Sequence, residues 1–171
     1  MNYGEIKCPD IANGPGCRVS LFVSGCTHHC KGCFNSETWD FHYGKLFTDE
    51  VKNSIIEMMG KNYISGLTIL GGEPMEPQNQ PDVLDLIKQV RTTYPDKTIW
   101  IYSGYMFEEL MGNPRFPHSK EILGLADVLV DGEFVESLKD ISLRFRGSSN
   151  QRIIDLKETM DKGKVIPWEE N

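Results

Sequence analysis

Cys26-Thr27-His28-His29-Cys30-Lys31-Gly32-Cys33, three cysteines within eight residues, follows directly on the apolar run Val19-Ser20-Leu21-Phe22-Val23. Three thiols on one short loop furnish three corners of a metal site, so either a fourth protein ligand closes it or one position stays open. In the closed case His28 or His29 joins the cysteines around a tetrahedral zinc. In the open case the loop holds an iron–sulfur cubane with one iron free for substrate, because clusters used only for electron transfer take four cysteines. Three unligated thiols are the remaining reading. The spacing favours the cubane. Zinc ligands usually come as two short pairs separated by a longer stretch, and the other histidines are His42 and His118 alone.

Working outward, Asn13-Gly-Pro-Gly16 reads as a turn that delivers the chain into a first strand over Arg18–Ser24, rich in Val, Leu and Phe. The cysteine loop therefore sits at the C-terminal end of a strand, the edge where ligand sites of parallel α/β structures gather. Asn35–Lys45, with Trp39, Phe41 and Tyr43 interleaved, reads as an ordered loop. Thr48 caps a helix that has Asp49 and Glu50 in its first turn, Val51, Ile55, Met58 and Met59 at helical spacing, and Gly60 at its end. Leu67–Leu70 is a buried strand closed by Gly71-Gly-Glu-Pro74, and Pro81 and Asp82 start a second helix with Val83, Ile87, Val90 and Tyr94 as its stripe. Thr98–Tyr102 is a third strand ending in Ser103-Gly104; helical stretches through Glu108–Met111 and Lys120–Leu125 lead to a strand over Asp127–Val130, ending at Asp131-Gly132. Strand, helix, strand at about 30-residue intervals implies a parallel sheet with right-handed crossovers. Beyond Phe134, Ser142–Phe145 reads as a further strand, Gln151–Thr159 as a strand or short helix, and Lys162–Asn171 as a frayed tail. Counting strands gives about five or six parallel units, too few for a closed eight-stranded barrel of ~250 residues.

The length of 171 residues fits one domain, with a core over about 13–151, and neither repeats nor a separating linker are visible. The net charge of −7 argues against nucleic acid or an anionic membrane as partner. Glu5, Lys7, Asp10 and Arg18 interrupt the first twenty residues, and no uncharged apolar run of ~18 residues appears, so a secretory signal or membrane span is not expected and a reducing cytoplasm is. Five cysteines, three of them clustered, suit metal binding better than a disulfide framework; Cys8 and Cys17 read as small buried or half-buried thiols.

C-x3-C-x2-C after a first strand, with Gly71-Gly-Glu-Pro74 downstream, resembles the radical S-adenosylmethionine (SAM) superfamily. More narrowly, Asn13–Gly16, Ser24-Gly-Cys26, Lys31-Gly-Cys33, Gly71–Pro74, Ser103-Gly-Tyr105, Val130-Asp-Gly132 and Arg146-Gly-Ser-Ser-Asn-Gln151 resemble, in that order, the activating enzymes of anaerobic ribonucleoside-triphosphate reductase. Many superfamily members carry an aromatic residue just before the third cysteine; this chain has Gly32 there and Phe34 after it, as the narrower family does.

The resemblance implies an open, partial (β/α) barrel of radical SAM type. It also implies a [4Fe–4S] cluster on Cys26, Cys30 and Cys33, with SAM chelating the fourth iron. Around SAM it implies Gly32, Cys33 and Phe34 near the adenine and Gly71, Gly72, Glu73 and Pro74 at the methionine end. Ser103 and Asp131 are further candidates because they end strands at the same edge; as isolated Ser-Gly and Asp-Gly pairs they read equally well as turns. Reductive cleavage of SAM to a 5′-deoxyadenosyl radical, with hydrogen abstraction from a glycine loop of the reductase large subunit, is the implied activity, supplied with electrons by a flavodoxin-like or similar external reductant. Arg146–Gln151 would then wall the mouth where the partner enters, and His28 and His29 would cover the cluster or meet the partner. Two alternatives stay open: activation of another glycyl-radical enzyme such as pyruvate formate-lyase, and a non-catalytic zinc-binding interaction module.

Overall fold

The computed structural model describes residues 1–170. In chain order its elements are β1 (Asn2–Asp10), β2 (Cys17–Val23), a 3-10 turn (Ser36–Trp39), β3 (Lys45–Leu46), α1 (Asp49–Met59), β4 (Ile64–Gly71), α2 (Gln80–Thr93) and β5 (Thr98–Ser103). Then come α3 (Phe107–Gly112), α4 (Ser119–Leu125), β6 (Val128–Asp131), a second 3-10 turn (Glu136–Leu138), β7 (Arg152–Asp155) and α5 (Leu156–Lys162). The strands form one seven-stranded sheet in the order β3-β1-β2-β4-β5-β6-β7, open at both ends. β2, β4, β5 and β6 are parallel neighbours, while β1, β3 and β7 run antiparallel at the flanks. The α/β class and the open sheet agree with the sequence reading. The count of five or six parallel units does not, because only the four strands joined by helical crossovers are parallel.

Pleating sorts the two faces. Val19, Leu21, Leu67, Ile69, Ile99, Ile101 and Leu129 point to the face where every α-helix contributes to one core, among them Ile55 and Met59 of α1, Ile87 of α2 and Leu156 of α5. Their neighbours in the pleat, Trp100, Tyr102, Val128 and Val130, face the other way and build a second cluster with Phe145, Ile153 and Trp168. The helix starts are chemically explicit. Thr48 accepts from the Val51 N–H at 3.3 Å, and Asp155 from the Glu158 N–H at 3.0 Å, each satisfying a first-turn donor that has no intrahelical partner. Arg18 is fully buried at the start of β2. It reaches Thr68 Oγ1 at 2.8 Å, Thr98 Oγ1 at 2.9 Å and the Leu67 carbonyl at 2.9 Å, and lies 5.8 Å from the Trp100 ring. Burial pulls its pKa down to about 10, against the fields of Tyr102, Asp127 and Asp10.

Other expectations change here. β1 precedes the expected first strand; its exposed and half-buried residues alternate on a flank where only Asn2 and Tyr3 pair with β3. Ser142–Phe145 is not a strand but a run of turns, in which Asp140 accepts from the Ser142 N–H and hydroxyl. The Gln151–Thr159 stretch splits into β7 and the start of α5. The tail is docked instead of frayed. Gly163 takes a left-handed cap, Ile166 donates to Thr159 Oγ1 at 2.9 Å, and Trp168 donates its backbone N–H to Ile153 while its ring meets Trp100 edge-on at 4.9 Å. Asn171, the last residue of that expected tail, lies outside the described residues. Among the described residues no helix is long and apolar enough to cross a membrane.

Candidate metal centre

The cysteine loop leaves β2 at the C-terminal edge of the sheet and is seated by backbone bonds. Gly25 donates to Thr38 at 2.7 Å and Cys26 to Trp39 at 3.1 Å, so the 3-10 turn that follows the loop holds its beginning. Within the loop, Cys33 donates its N–H to the Cys30 carbonyl at 3.1 Å, and Cys33 Sγ accepts from the Asn35 N–H at 3.4 Å. Cys26, Cys30 and Cys33 all line one cavity of about 520 Å³, together with Gly71, Gly72, Glu73 and Ser103.

The turn after β4 is built against this loop. Gly72 donates to the Val23 carbonyl at 2.8 Å and Glu73 to the Gly25 carbonyl at 2.7 Å. Side chains would not fit: a Cβ on Gly71, whose φ is +115°, would meet Val23 N and O at 2.7 Å, and one on Gly72 would meet the Gly25 and Thr38 carbonyl oxygens at 2.7 and 2.8 Å. The Glu73 carboxylate is buried and fully engaged. Oε1 accepts from the Gly104 N–H at 2.7 Å and pairs with His28 Nε2 at 2.8 Å, and Oε2 accepts from the Met75 N–H at 2.9 Å. His28 Nδ1 meets Glu133 Oε1 at 2.8 Å, so one imidazole joins the loops after β2, β4 and β6. Burial works against charge on that ring, but Glu73 and Glu133 outweigh it and raise its pKa to about 9.

The donor set bears on the metal readings. Both nitrogens of His28 face carboxylates, and His29 stacks flat on Trp39 at 4.5 Å, so neither stands as a fourth ligand. With both His28 nitrogens on carboxylates, a closed four-ligand zinc site fits this arrangement less well than an open one. A cubane, which spreads three thiolates over three irons, is such an open site. Burial, with Glu73 and Glu76 nearby, pushes the Cys26 thiol up to about 12, and burial and Glu133 push Cys30 up. Thiols so placed ionise against a cationic centre, as coordination to iron provides.

Of the residues expected from the sequence, the cavity wall brings together the three cysteines, Phe34, Gly71, Gly72, Glu73 and Ser103. Phe34 is 62% exposed at the rim, its ring 5.1 Å from that of Phe134, and Gly32 lies beside the Glu136 side chain. Ser103 Oγ accepts from the Tyr105 N–H at 3.1 Å. Three expected residues, Gly32, Pro74 and Asp131, stand off the wall. Pro74 is buried behind its turn. Asp131 is fully buried and accepts from Arg152 Nε at 2.9 Å and the Phe107 N–H at 2.8 Å. The pleat explains this: Val130 faces the cavity, so its neighbour Asp131 faces the helices and holds the start of α3. Of the Arg146–Gln151 stretch, Arg146, Gly147 and Gln151 are on the wall. Gln151 Oε1 accepts from the Gly147 and Ser148 N–H groups at 2.8 and 3.1 Å, and Gln151 Nε2 donates to the Gly132 carbonyl at 3.0 Å. Sequence reasoning missed Phe22, Tyr102 and Phe134 on this wall. The even spacing of Phe22 from Ser20, and of Tyr102 from Trp100, was the available signal for the first two.

Residues 12–154 match the family described as 4Fe-4S single cluster domain. Curated relatives similar to the chain over nearly its full length carry the name anaerobic ribonucleoside-triphosphate reductase-activating protein. The one from Escherichia coli (strain K12) is 43% identical over 159 residues, which is 92% of this chain and 100% of the relative. That of Enterobacteria phage T4 is 42% identical over 90% of this chain and 93% of its own, and that of Vibrio cholerae 43% over 90% and 97%.

Proposed function

Because the chain belongs to the family of anaerobic ribonucleoside-triphosphate reductase-activating proteins and to the 4Fe-4S single cluster domains, we infer that it is the enzyme that activates such a reductase by placing a radical on one of its glycines. The observation that carries the reading is the convergence of three cysteines of one loop and the Gly71-Gly72-Glu73 turn on a single cavity, with both His28 nitrogens turned to carboxylates. Cys26, Cys30 and Cys33 would hold three irons, leaving one for SAM beside the Gly71-Gly72-Glu73 turn that lines the same cavity. When bound, the cluster, once reduced by one electron, and SAM would supply the 5′-deoxyadenosyl radical chemistry that removes a glycine Cα hydrogen.

The chain's own residues orient and exclude. The backbone of Gly71 and Gly72 approaches the methionine end of SAM without a Cβ in the way. Glu73 does not need to reach the ligand, since its carboxylate fixes Gly104 and His28 at the two sides of the cavity; carbonyls of the turn remain to accept from the ammonium group. Ser103 stands at the same end, and Gly32 and Phe34 flank the adenine. Pro74 and Asp131 act from behind the wall. The open sheet serves as a partial barrel of radical SAM type, forming one catalytic domain whose uncovered side admits a peptide. Glycine suits the task because its Cα radical is delocalised between amide and carbonyl and no side chain hinders access. The exposed apolar rim of Phe34, Leu138 and Ile141 meets the glycine loop of the reductase large subunit. A flavodoxin-like or similar donor in a reducing cytoplasm, as the family resemblance implies, delivers the electron from outside.

The test is anaerobic reconstitution with iron and sulfide, reduction, addition of SAM, and assay of 5′-deoxyadenosine beside a Cys30→Ala control. A brown protein whose SAM cleavage is lost in the control, and which raises a glycyl radical on the reductase but not on pyruvate formate-lyase, is the expected result. A colourless protein that binds zinc and makes no 5′-deoxyadenosine would overturn it.

A further inference from the structure

A second buried carboxylate grips the cysteine loop from outside the cavity, and the activation reading makes no use of it. Glu76 is 2% exposed and is not on the cavity wall. Its Oε1 accepts from the Thr27 hydroxyl at 2.7 Å, the Thr27 N–H at 3.2 Å and the Tyr105 hydroxyl at 2.9 Å. Thr27 follows the first cysteine directly, and the Tyr105 ring packs on His28 with 4.3 Å between centroids. Glu76 thus holds two successive residues of the loop, one by hydrogen bonds and one through an intervening ring. Its second oxygen, Oε2, has Arg115 at 4.0 Å, a guanidinium that is 51% exposed and lies across the Tyr105 and Phe116 rings.

Three donors on one oxygen is the bonding pattern of an ionised carboxylate. A cation at that distance offsets only part of a buried charge, because solvent screens the exposed partner more than the buried one. The loop is therefore backed by a fixed negative charge that its hydrogen bonds stabilise but do not neutralise.

We propose that Glu76 is a positioning residue of the cluster, fixing the Cys26–Cys30 segment through Thr27 and Tyr105 and lowering the cluster's reduction potential by its buried charge. The proposal rests on the activation reading, since it takes the three cysteines as cluster ligands. One-electron reduction adds negative charge to an iron–sulfur centre, and nearby net charge and hydrogen bonding are among the terms that set its potential. A carboxylate held beside the first ligand disfavours the reduced form. An electron that does arrive from the external donor is then held weakly and is more readily passed to the C–S bond of SAM.

Glu76→Gln tests this, because it keeps an acceptor oxygen for Thr27 and Tyr105 while removing the charge. Wild type and variant are reconstituted anaerobically, iron and sulfide are counted, and the midpoint of the [4Fe–4S]2+/1+ couple is measured by potentiometric titration followed by EPR, without SAM. The expected result is equal cluster content and a midpoint about 59 mV higher, a tenfold change in the reduction equilibrium. An unchanged or lower midpoint in a fully loaded variant overturns the proposal. If Glu76→Gln takes up no cluster, the decision passes to Arg115→Gln, which leaves every loop hydrogen bond in place and strips the cation beside Oε2. A lower midpoint supports the proposal there, and no shift or a rise overturns it. Wild-type protein that binds no iron refutes the activation reading itself, and the iron count shows this before any variant is compared.

Discussion

Replacing Gly72 by alanine adds one methyl group at the contact between the turn after β4 and the cysteine loop. The new Cβ would stand 2.7 Å from the Gly25 carbonyl oxygen, 2.8 Å from that of Thr38 and 3.0 Å from Gly25 N, all backbone atoms that cannot swing aside. Ordinary contact begins near 3.4 Å, so turn and loop must part by about 0.7 Å, against a misplacement of ~1 Å that costs on the order of 10²-fold in rate when reacting groups are held in register. The parting also strains the bonds from Gly72 to Val23 and from Glu73 to Gly25, a cost to stability of about 1–3 kcal/mol, as for other overpacked sites. The assay is 5′-deoxyadenosine formation at saturating SAM with a chemical reductant, normalised to iron content, beside thermal unfolding. Gly124→Ala is the control: it lies in α4 with nothing within 4 Å of its added Cβ, so activity stays unchanged and the helix gains about 0.5–1 kcal/mol. A fully loaded Gly72→Ala enzyme that cleaves SAM at the wild-type rate would refute the idea that close backbone contact sets the geometry.

Three further outcomes are expected. Trp168→Ala removes a half-buried indole from its edge-on contacts with Trp100 and Phe145; it should destabilise the fold by about 2–3 kcal/mol by denaturant titration, half or more of a core Trp truncation, while iron uptake persists. Ile141→Asp, at a rim residue 93% exposed, should leave SAM cleavage without the reductase unchanged and lower the glycyl-radical yield at least tenfold; equal yields would remove the rim from the docking surface. Asp127 has its pKa lowered even though burial works the other way, because Arg91 at 2.7 Å, the Ile99 N–H and Lys157 outweigh burial. A carboxyl with a depressed native pKa lends stability above its unfolded value near 3.9, and that stability drains away as pH falls through the native one. Asp127→Asn should therefore be less stable than wild type by about 1–3 kcal/mol at pH 7, with the gap closing below about pH 4; a gap independent of pH would contradict the ion-pair account.

The parallel strands are legible in the sequence because each is an apolar run closed by a glycine-containing turn: Gly25 after β2, Gly72 after β4, Gly104 after β5 and Gly132 after β6. β1 is not, since Glu5 and Lys7 lie on a flank left largely unpaired by β3 and a register shift between Tyr3 and Glu5 breaks the alternation. The docked tail escapes for another reason: Trp168 finds Trp100 and Phe145 only once the sheet exists. At the site, cysteine spacing and the Gly-Gly-Glu-Pro turn announce themselves locally. Asp131 misleads because the end of a strand says which edge a residue occupies but not which side of the pleat it faces. The roles of His28 and Glu76 are invisible for the same reason as the tail, as their partners are gathered from three strand ends.

The bonds that seat the cysteine loop, from Gly25 to Thr38, Cys26 to Trp39, Glu73 to Gly25 and Thr27 to Glu76, all join protein to protein. Small zinc domains, by contrast, unfold when stripped, because ligation is their folding energy. Here four hydrogen bonds that ligation does not supply tie the loop to its own chain, so loss of iron to oxygen is expected to injure a part and not the whole, and iron, sulfide and a reductant to repair it without the chain being made again.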